Sequence, residues 1–156
     1  MRLVVVSDSH GAWGNLFEAI TRESSADAVY FLGDGYREYE ELCCVYSDKR
    51  FFIGVRGNCD FSCDLPEKDI RTLDNAKIYA THGYVERVKH GLFDLEERAK
   101  AEGCSLVLFG HTHQPTKQYK DGIYYFNPGS VREGFYGVVD ITEKGIMCIN
   151  KNLITY

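Results

Sequence analysis

Leu106-Val107-Leu108-Phe109-Gly110-His111-Thr112-His113, closed by Gln114-Pro115, is the stretch around which this chain is organised. Four apolar residues bounded by glycine and a Gln-Pro turn read as a short buried strand, and the two histidines stand where it stops. In extended chain, residues two apart project to the same side, so the pattern directs both imidazoles at one point beyond the strand end. An isolated His-x-His is as often a pair of solvated loop histidines as a metal site. Repetition decides between them. Asp8 and His10 follow the apolar run 3–6, Asp34 follows 29–32, Asn58 follows 51–55 and His82 follows 78–80. Five strand ends therefore deliver oxygen or imidazole nitrogen, the donors that suit divalent metals.

The composition is that of a water-soluble domain: 156 residues, 44% hydrophobic and 26% charged, with only three prolines and no low-complexity segment. That length suits one domain over residues 1–156, able to bury roughly 70% of its unfolded-chain surface. The longest apolar runs, 28–32 and 42–46, are far too short for a membrane span or a signal-peptide core, which leads us to expect a cytoplasmic protein without a membrane partner. A net charge of −5 argues against an extended nucleic-acid groove, which needs a basic face. The six cysteines show no CxxC spacing and are expected to be reduced and mostly buried; a zinc pair from Cys59 and Cys63 is the weaker reading of their spacing.

The order of elements points to an α/β fold. A strand over 2–6 precedes a helix over 15–23, capped by Asn15, with Leu16, Ala19 and Ile20 on one face. A strand over 28–32, a helix over 39–46 and a strand over 50–55 continue the alternation. Strands separated by helices pair in parallel, and the loops at their carboxyl ends form the site. The second half reads as hairpins: 70–73 with 77–81 around Asp74-Asn75-Ala76, 117–119 with 123–126 around Asp121-Gly122, and 137–141 with 146–149 around Glu143-Lys144-Gly145. A helix over 92–102 ends at Gly103. We expect a parallel beginning and an antiparallel ending, built as two mixed sheets packed face to face with helices outside.

The ordered blocks Asp8-x-His10-Gly11, Gly33-Asp34, Gly57-Asn58-Cys59-Asp60, His82-Gly83 and Gly110-His111-Thr112-His113 resemble those of the calcineurin-like metallophosphoesterase superfamily. The small size, the cysteine in the third block and Asn127-Pro128-Gly129-Ser130 are similar to its compact YfcE-like phosphodiesterase branch. The resemblance implies a four-layer αββα sandwich and two divalent transition-metal ions, manganese foremost, with nickel, zinc, iron and cobalt as alternatives. It implies that Asp8, His10, Asp34 and His113 hold one ion and Asp34, Asn58, His82 and His111 the other, with Asp34 bridging. Asp34, Asn58 and His82 would then serve the reaction directly, and Asn58 with Arg56 would hold the substrate. Members of the family carry a second acid three residues after the first, where this chain has Arg37. Others carry His at the position of Cys59 to protonate the leaving group, so poor leaving groups should react slowly here.

Formal charge narrows the substrate. Two dications with Asp8, Asp34 and a bridging hydroxide leave a net charge of about +1, which a phosphodiester monoanion balances; Arg56 or Arg132 nearby would shift this toward monoesters. The expected activity is two-metal hydrolysis of a small phosphodiester, with a phosphomonoesterase or a non-catalytic scaffold of the same fold as alternatives. His90 reads as a solvated residue and Asn127-Pro128-Gly129-Ser130 as a structural turn. The aromatic group Tyr119, Tyr124, Tyr125 and Phe126 reads as core or as a contact in a homo-oligomer.

Overall fold

A computed structural model describes residues 1–46 and 51–154. The chain runs β1 (Arg2–Val6), α1 (Trp13–Arg22), β2 (Ala28–Phe31), α2 (Tyr36–Tyr46), β3 (Phe51–Gly54), β4 (Lys68–Leu73) and β5 (Ala76–Thr81). It continues through α3 (Phe93–Ala101), β6 (Leu106–Leu108), β7 (Thr116–Lys120), β8 (Ile123–Asn127), β9 (Phe135–Thr142) and β10 (Gly145–Asn152). One sheet has the order β10-β9-β1-β2-β3 and the other β4-β5-β6-β8-β7. Both are mixed: β1 and β2 pair in parallel, as do β2 and β3, while β9 is antiparallel to β1 and to β10.

The side-chain alternation of the strands builds the layers. Leu3 and Val5 of β1, Ile78 and Ala80 of β5, and Leu106 and Leu108 of β6 meet between the two sheets. Val4 and Val6 turn the other way, onto Leu16, Ala19 and Ile20 of α1 and Leu42 of α2. Tyr79, Val107 and Tyr125 pack outward on Leu95 and Ala99 of α3. The result is the expected αββα sandwich, with β1 buried on both faces. Among the described residues, no helix is long and apolar enough to cross a membrane.

Several local expectations are corrected. The second half is not antiparallel throughout, because β6 pairs in parallel with both β5 and β8. The final hairpin, which the sequence assigned to neither sheet, joins the first, laying β9 beside β1. Asn15 does not cap α1; the helix has already begun at Trp13, and the Asn15 amide donates to the carbonyls of Val131 and Arg132. Helix α2 starts three residues early, at Tyr36. Position 50, the expected first residue of the third strand, lies outside the described residues, and β3 is described from Phe51. All six cysteines are free, but only Cys104 and Cys148 are buried. The other four sit on α2 or in the loop after β3, away from the sheet interior. Tyr125 and Phe126 enter opposite faces of the second sheet, whereas Tyr119 is largely exposed and packs on Tyr124 at 4.6 Å.

Candidate metal centre

The carboxyl ends of β1, β2 and β3 in one sheet and of β5, β6 and β8 in the other open onto the same edge of the sandwich. Backbone hydrogen bonds lock their loops together. Asp8 N–H donates to the Gly33 carbonyl, His10 N–H to Asp34, Gly110 N–H to His82, and Val131 N–H to Ser7. Glycine is required where these loops touch. A Cβ on Gly57 would stand 2.0 Å from Asp34 Oδ1, and one on Gly110 would stand 2.0 Å from Ser7 Oγ. The crowding also bends the backbone. Asp8, His10, Asp34, His111 and His113 all have positive φ, between 41° and 68°, a conformation that costs a non-glycine residue of order 1 kcal/mol and persists only where surrounding structure imposes it.

Two clusters result. In the first, His113 Nε2 lies 3.2 Å and His10 Nε2 3.8 Å from Asp8 Oδ1, and the two imidazole nitrogens are 3.3 Å apart. In the second, His82 Nε2 lies 3.4 Å from Asp34 Oδ2, 3.1 Å from Asn58 Oδ1 and 3.2 Å from His111 Nδ1. Asp34 Oδ2 also lies 3.7 Å from His10 Nε2, so one carboxylate oxygen stands between the clusters. Asp8, His10, Asp34, Asn58, His82, His111 and His113, the ligands that the resemblance implied, are all brought to this place. His111 and His113 do not aim at a common point, however. Their left-handed backbone turns His111 toward the second cluster and His113 toward the first, which the extended-chain argument missed.

The donor set fits cations. The Leu32 carbonyl 2.7 Å from His82 Nδ1 can only accept, which places the proton on Nδ1 and leaves Nε2 a lone pair in the neutral ring. That lone pair faces a carboxylate oxygen, an amide oxygen and a second imidazole nitrogen. A proton on Nε2 could point at only one of them, whereas a metal ion in their midst serves all. Asp8 Oδ1 is fully buried, and among the described residues no donor meets it in hydrogen-bonding geometry, although Ser7 Oγ and His111 N–H both donate to Oδ2. A buried carboxylate oxygen without a partner costs several kcal/mol unless a cation answers it.

The titration behaviour has the same origin. Burial pushes the Asp34 carboxyl up, but His82 and the Cys59 N–H outweigh it and hold it below the usual carboxylate range. Burial opposes charge on His82, yet Asp34 and Asp8 raise it above its ordinary value. Burial, His82 and Lys89 push His111 down to about 4.

Supporting contacts show which residues the sequence reading left without a role. Asp60 accepts the N–H groups of Asp34, Gly35, Tyr36 and Gly57 at 2.7–2.9 Å. It clamps the Asp34 loop and caps α2, which explains the helix's early start. Its only signal in the sequence was its place directly after Gly57-Asn58-Cys59. Asn127 donates to the Gly110 carbonyl and Thr112 Oγ1, and Ser130 Oγ donates to the Asp8 carbonyl, so that segment is a structural buttress. Glu38, one residue beyond Arg37, reaches back to Ser9 Oγ at 3.5 Å. Arg56 is held on the rim by Glu67 at 2.7 Å, and Cys59 lies exposed within a three-donor group with His10 and Asp34. Among the described residues Cys63 joins no such group, which removes the Cys59–Cys63 pair. His90 is exposed, in a cleft with Arg87 and Asp94 apart from the centre.

Comparison with known proteins gives the family. A calcineurin-like phosphoesterase superfamily domain is matched over residues 1–144. The chain is 32% identical over 133 residues to the probable metallophosphoesterase YsnB of Bacillus subtilis (strain 168), covering 85% of this chain and 76% of that protein. It is 26% identical to the phosphodiesterase YfcE of Escherichia coli (strain K12), covering 99% of this chain and 95% of that one. In fold alone it also matches wild-type Vps29 complexed with zinc from Entamoeba histolytica, with a TM-score of 0.76 at 19% identity over 97% of this chain and 99% of the other. On the extent of the domain match and the identity to YsnB, the chain belongs to the calcineurin-like phosphoesterase superfamily.

Proposed function

We propose that the protein is a metal-dependent phosphodiesterase that hydrolyses a small phosphodiester at a two-metal centre. The observation that carries the proposal is the position of Asp34 Oδ2, between His10 Nε2 at 3.7 Å and His82 Nε2 at 3.4 Å, with the buried Oδ1 of Asp8 3.2 Å from His113 Nε2 in the neighbouring cluster. Asp8, His10 and His113 would hold one ion, His82, His111 and Asn58 the other, and Asp34 both. When bound, a pair of divalent ions supplies a nucleophile from water at neutral pH and a clamp on the phosphoryl oxygens. The chain's own residues set the geometry. The Leu32 carbonyl orients the His82 ring, Cys59 N–H fixes the second oxygen of Asp34 at 2.8 Å, and Asp60 holds the loop that carries Asp34. The exposed Asn58 amide and Arg56 face the adjoining cleft, where they can contact the phosphoester. Nitrogen and oxygen donors suit manganese, zinc, iron, nickel or cobalt.

A non-catalytic scaffold would share the fold but has no need of two complete donor clusters, and the diester preference rests on the charge balance worked out above. The test is metal content and turnover together. We expect about two transition-metal ions per chain and hydrolysis of bis(p-nitrophenyl) phosphate that chelation abolishes and Mn²⁺ restores. Elemental analysis finding no uptake at saturating metal would overturn the proposal.

A further inference from the structure

Beside the metal centre a cleft of about 360 Å³ is lined by Arg56, Asn58, Glu67, His82, Tyr84 and Val85. A volume of this order suits one small organic group. Its floor is the centre itself, through Asn58 and His82, and its walls differ in character. Arg56 Nη2 donates to Glu67 Oε1, with both side chains about half exposed. Tyr84 also lines the cleft, 57% exposed, its ring perpendicular to that of His111 with centroids 5.5 Å apart.

Tyr84 is exposed but not loose. Its loop is tied down by Glu86, a carboxylate only 2% exposed that accepts from Tyr79 Oη at 3.0 Å and Thr81 Oγ1 at 2.9 Å. Gly83 N–H donates to Thr81 Oγ1, Val88 N–H to the Gly83 carbonyl and Arg87 N–H to the Tyr84 carbonyl. A buried carboxylate outside the metal centre thus fixes a half-bare aromatic ring against one of the centre's imidazoles. A planar heteroaromatic ring needs such a place: an aromatic face to stack on and, in the same cleft, a guanidinium donor and a carboxylate acceptor for its edge. An alkyl chain would find one wall charged. A second phosphate would meet the Glu67 carboxylate beside the guanidinium.

We infer that Tyr84 is a specificity-determining residue and that the substrate is a nucleoside phosphoester whose base lies between Tyr84 and the Arg56–Glu67 pair. This deepens the function proposed above and rests on it for the position of the phosphate. The test compares calorimetric binding of adenosine 5′-monophosphate and ribose 5-phosphate with Mn²⁺ present, two ligands that differ by the base alone. The native protein should bind the adenosine ester about tenfold more tightly, the range expected of one stacked base. In Tyr84→Ala the ratio should fall toward one, and in Tyr84→Phe it should stay within about threefold of native, the ring being retained. Because the ratio is read within each protein, a general loss of affinity cancels. A native ratio near one, no measurable binding of the adenosine ester, or a Tyr84→Ala ratio equal to the native one overturns the inference. Ribose 5-phosphate binding that does not depend on Mn²⁺ would instead count against the two-metal reading, and the ratio would still be readable.

Discussion

Asp34 is the residue on which both halves of the candidate centre depend. Its Oδ1 is occupied by the Cys59 N–H, so Oδ2 is held in place between His10 and His82. Asparagine would keep the shape but remove the charge, and its amide would present either a donor or a weaker acceptor between the two clusters. We therefore expect Asp34→Asn to weaken both metals together. His113→Ala should mainly release the metal of the Asp8 cluster, and His82→Ala that of the Asn58 and His111 cluster. Each loss should be at least the roughly 10–100-fold in affinity that removal of an outer-shell partner alone causes. Metal content after dialysis, measured for the three variants in parallel, checks the assignment; full metal and near-native turnover in Asp34→Asn would displace Asp34 from the bridging role.

Among the elements, the loop between β2 and α2 shows how the fold holds its site under strain. Gly33 and Asp34 both have positive φ, and α2 begins immediately after Gly35. Asp60, from the loop after β3, accepts four N–H groups across this junction. These are charge-assisted hydrogen bonds to one carboxylate, so their removal should exceed the loss of a single cap. Asp60→Ala should cost about 3 kcal/mol, a fall in Tm of roughly 6–12 °C for a chain of this size, and Asp60→Asn should cost less because one oxygen acceptor remains. Metal affinity should fall with stability, since the same bonds orient Asp34. Thermal melts with and without Mn²⁺ would test both, and an unchanged melting temperature in Asp60→Ala would show that the clamp contributes nothing.

Across the whole molecule, the first sheet depends on an early strand and a late one meeting. Arg2 and Asp140 face each other across the β1–β9 ladder, with guanidinium Nε and Nη2 donating to the carboxylate at 2.7 and 2.8 Å. The hydrogen bond from Arg2, reinforced by its charge, holds the Asp140 carboxyl below the usual carboxylate range. A depressed carboxyl contributes stability above its unfolded pKa, and that contribution is lost as pH falls through the depressed value. Because Arg2 is solvent-exposed, water and salt screen the pair and its contribution is small. Urea denaturation should find Asp140→Asn less stable than native at pH 7, with the gap closing as pH drops below about 4. A gap that persists undiminished well into acid would mean the pair acts through packing rather than charge.

The sequence by itself determined the layers and named the residues of the candidate site. Short apolar runs punctuated by glycine, aspartate and histidine mark strand ends, and alternation of period 2 dictates which side chains face the other sheet. These properties are local, so Asp8, His10, Asp34, Asn58, His82, His111 and His113 could be named from one chain. Tertiary structure alone decided what depends on distant segments meeting. The parallel pairing of β6 with β8, and the placement of β9 against β1, follow from how the two sheets bury their faces together, which no local pattern encodes, whereas β5 and β6, joined through α3, obey the same rule as the first half. The divergence of His111 and His113 follows from loops crowded onto one edge, where left-handed backbone is imposed from outside the stretch. Asp60 and Glu86 escaped notice for the same reason. Their importance lies in backbone and hydroxyl donors that reach them only in the folded chain, whereas an isolated acid in a polar loop looks like any solvated charge.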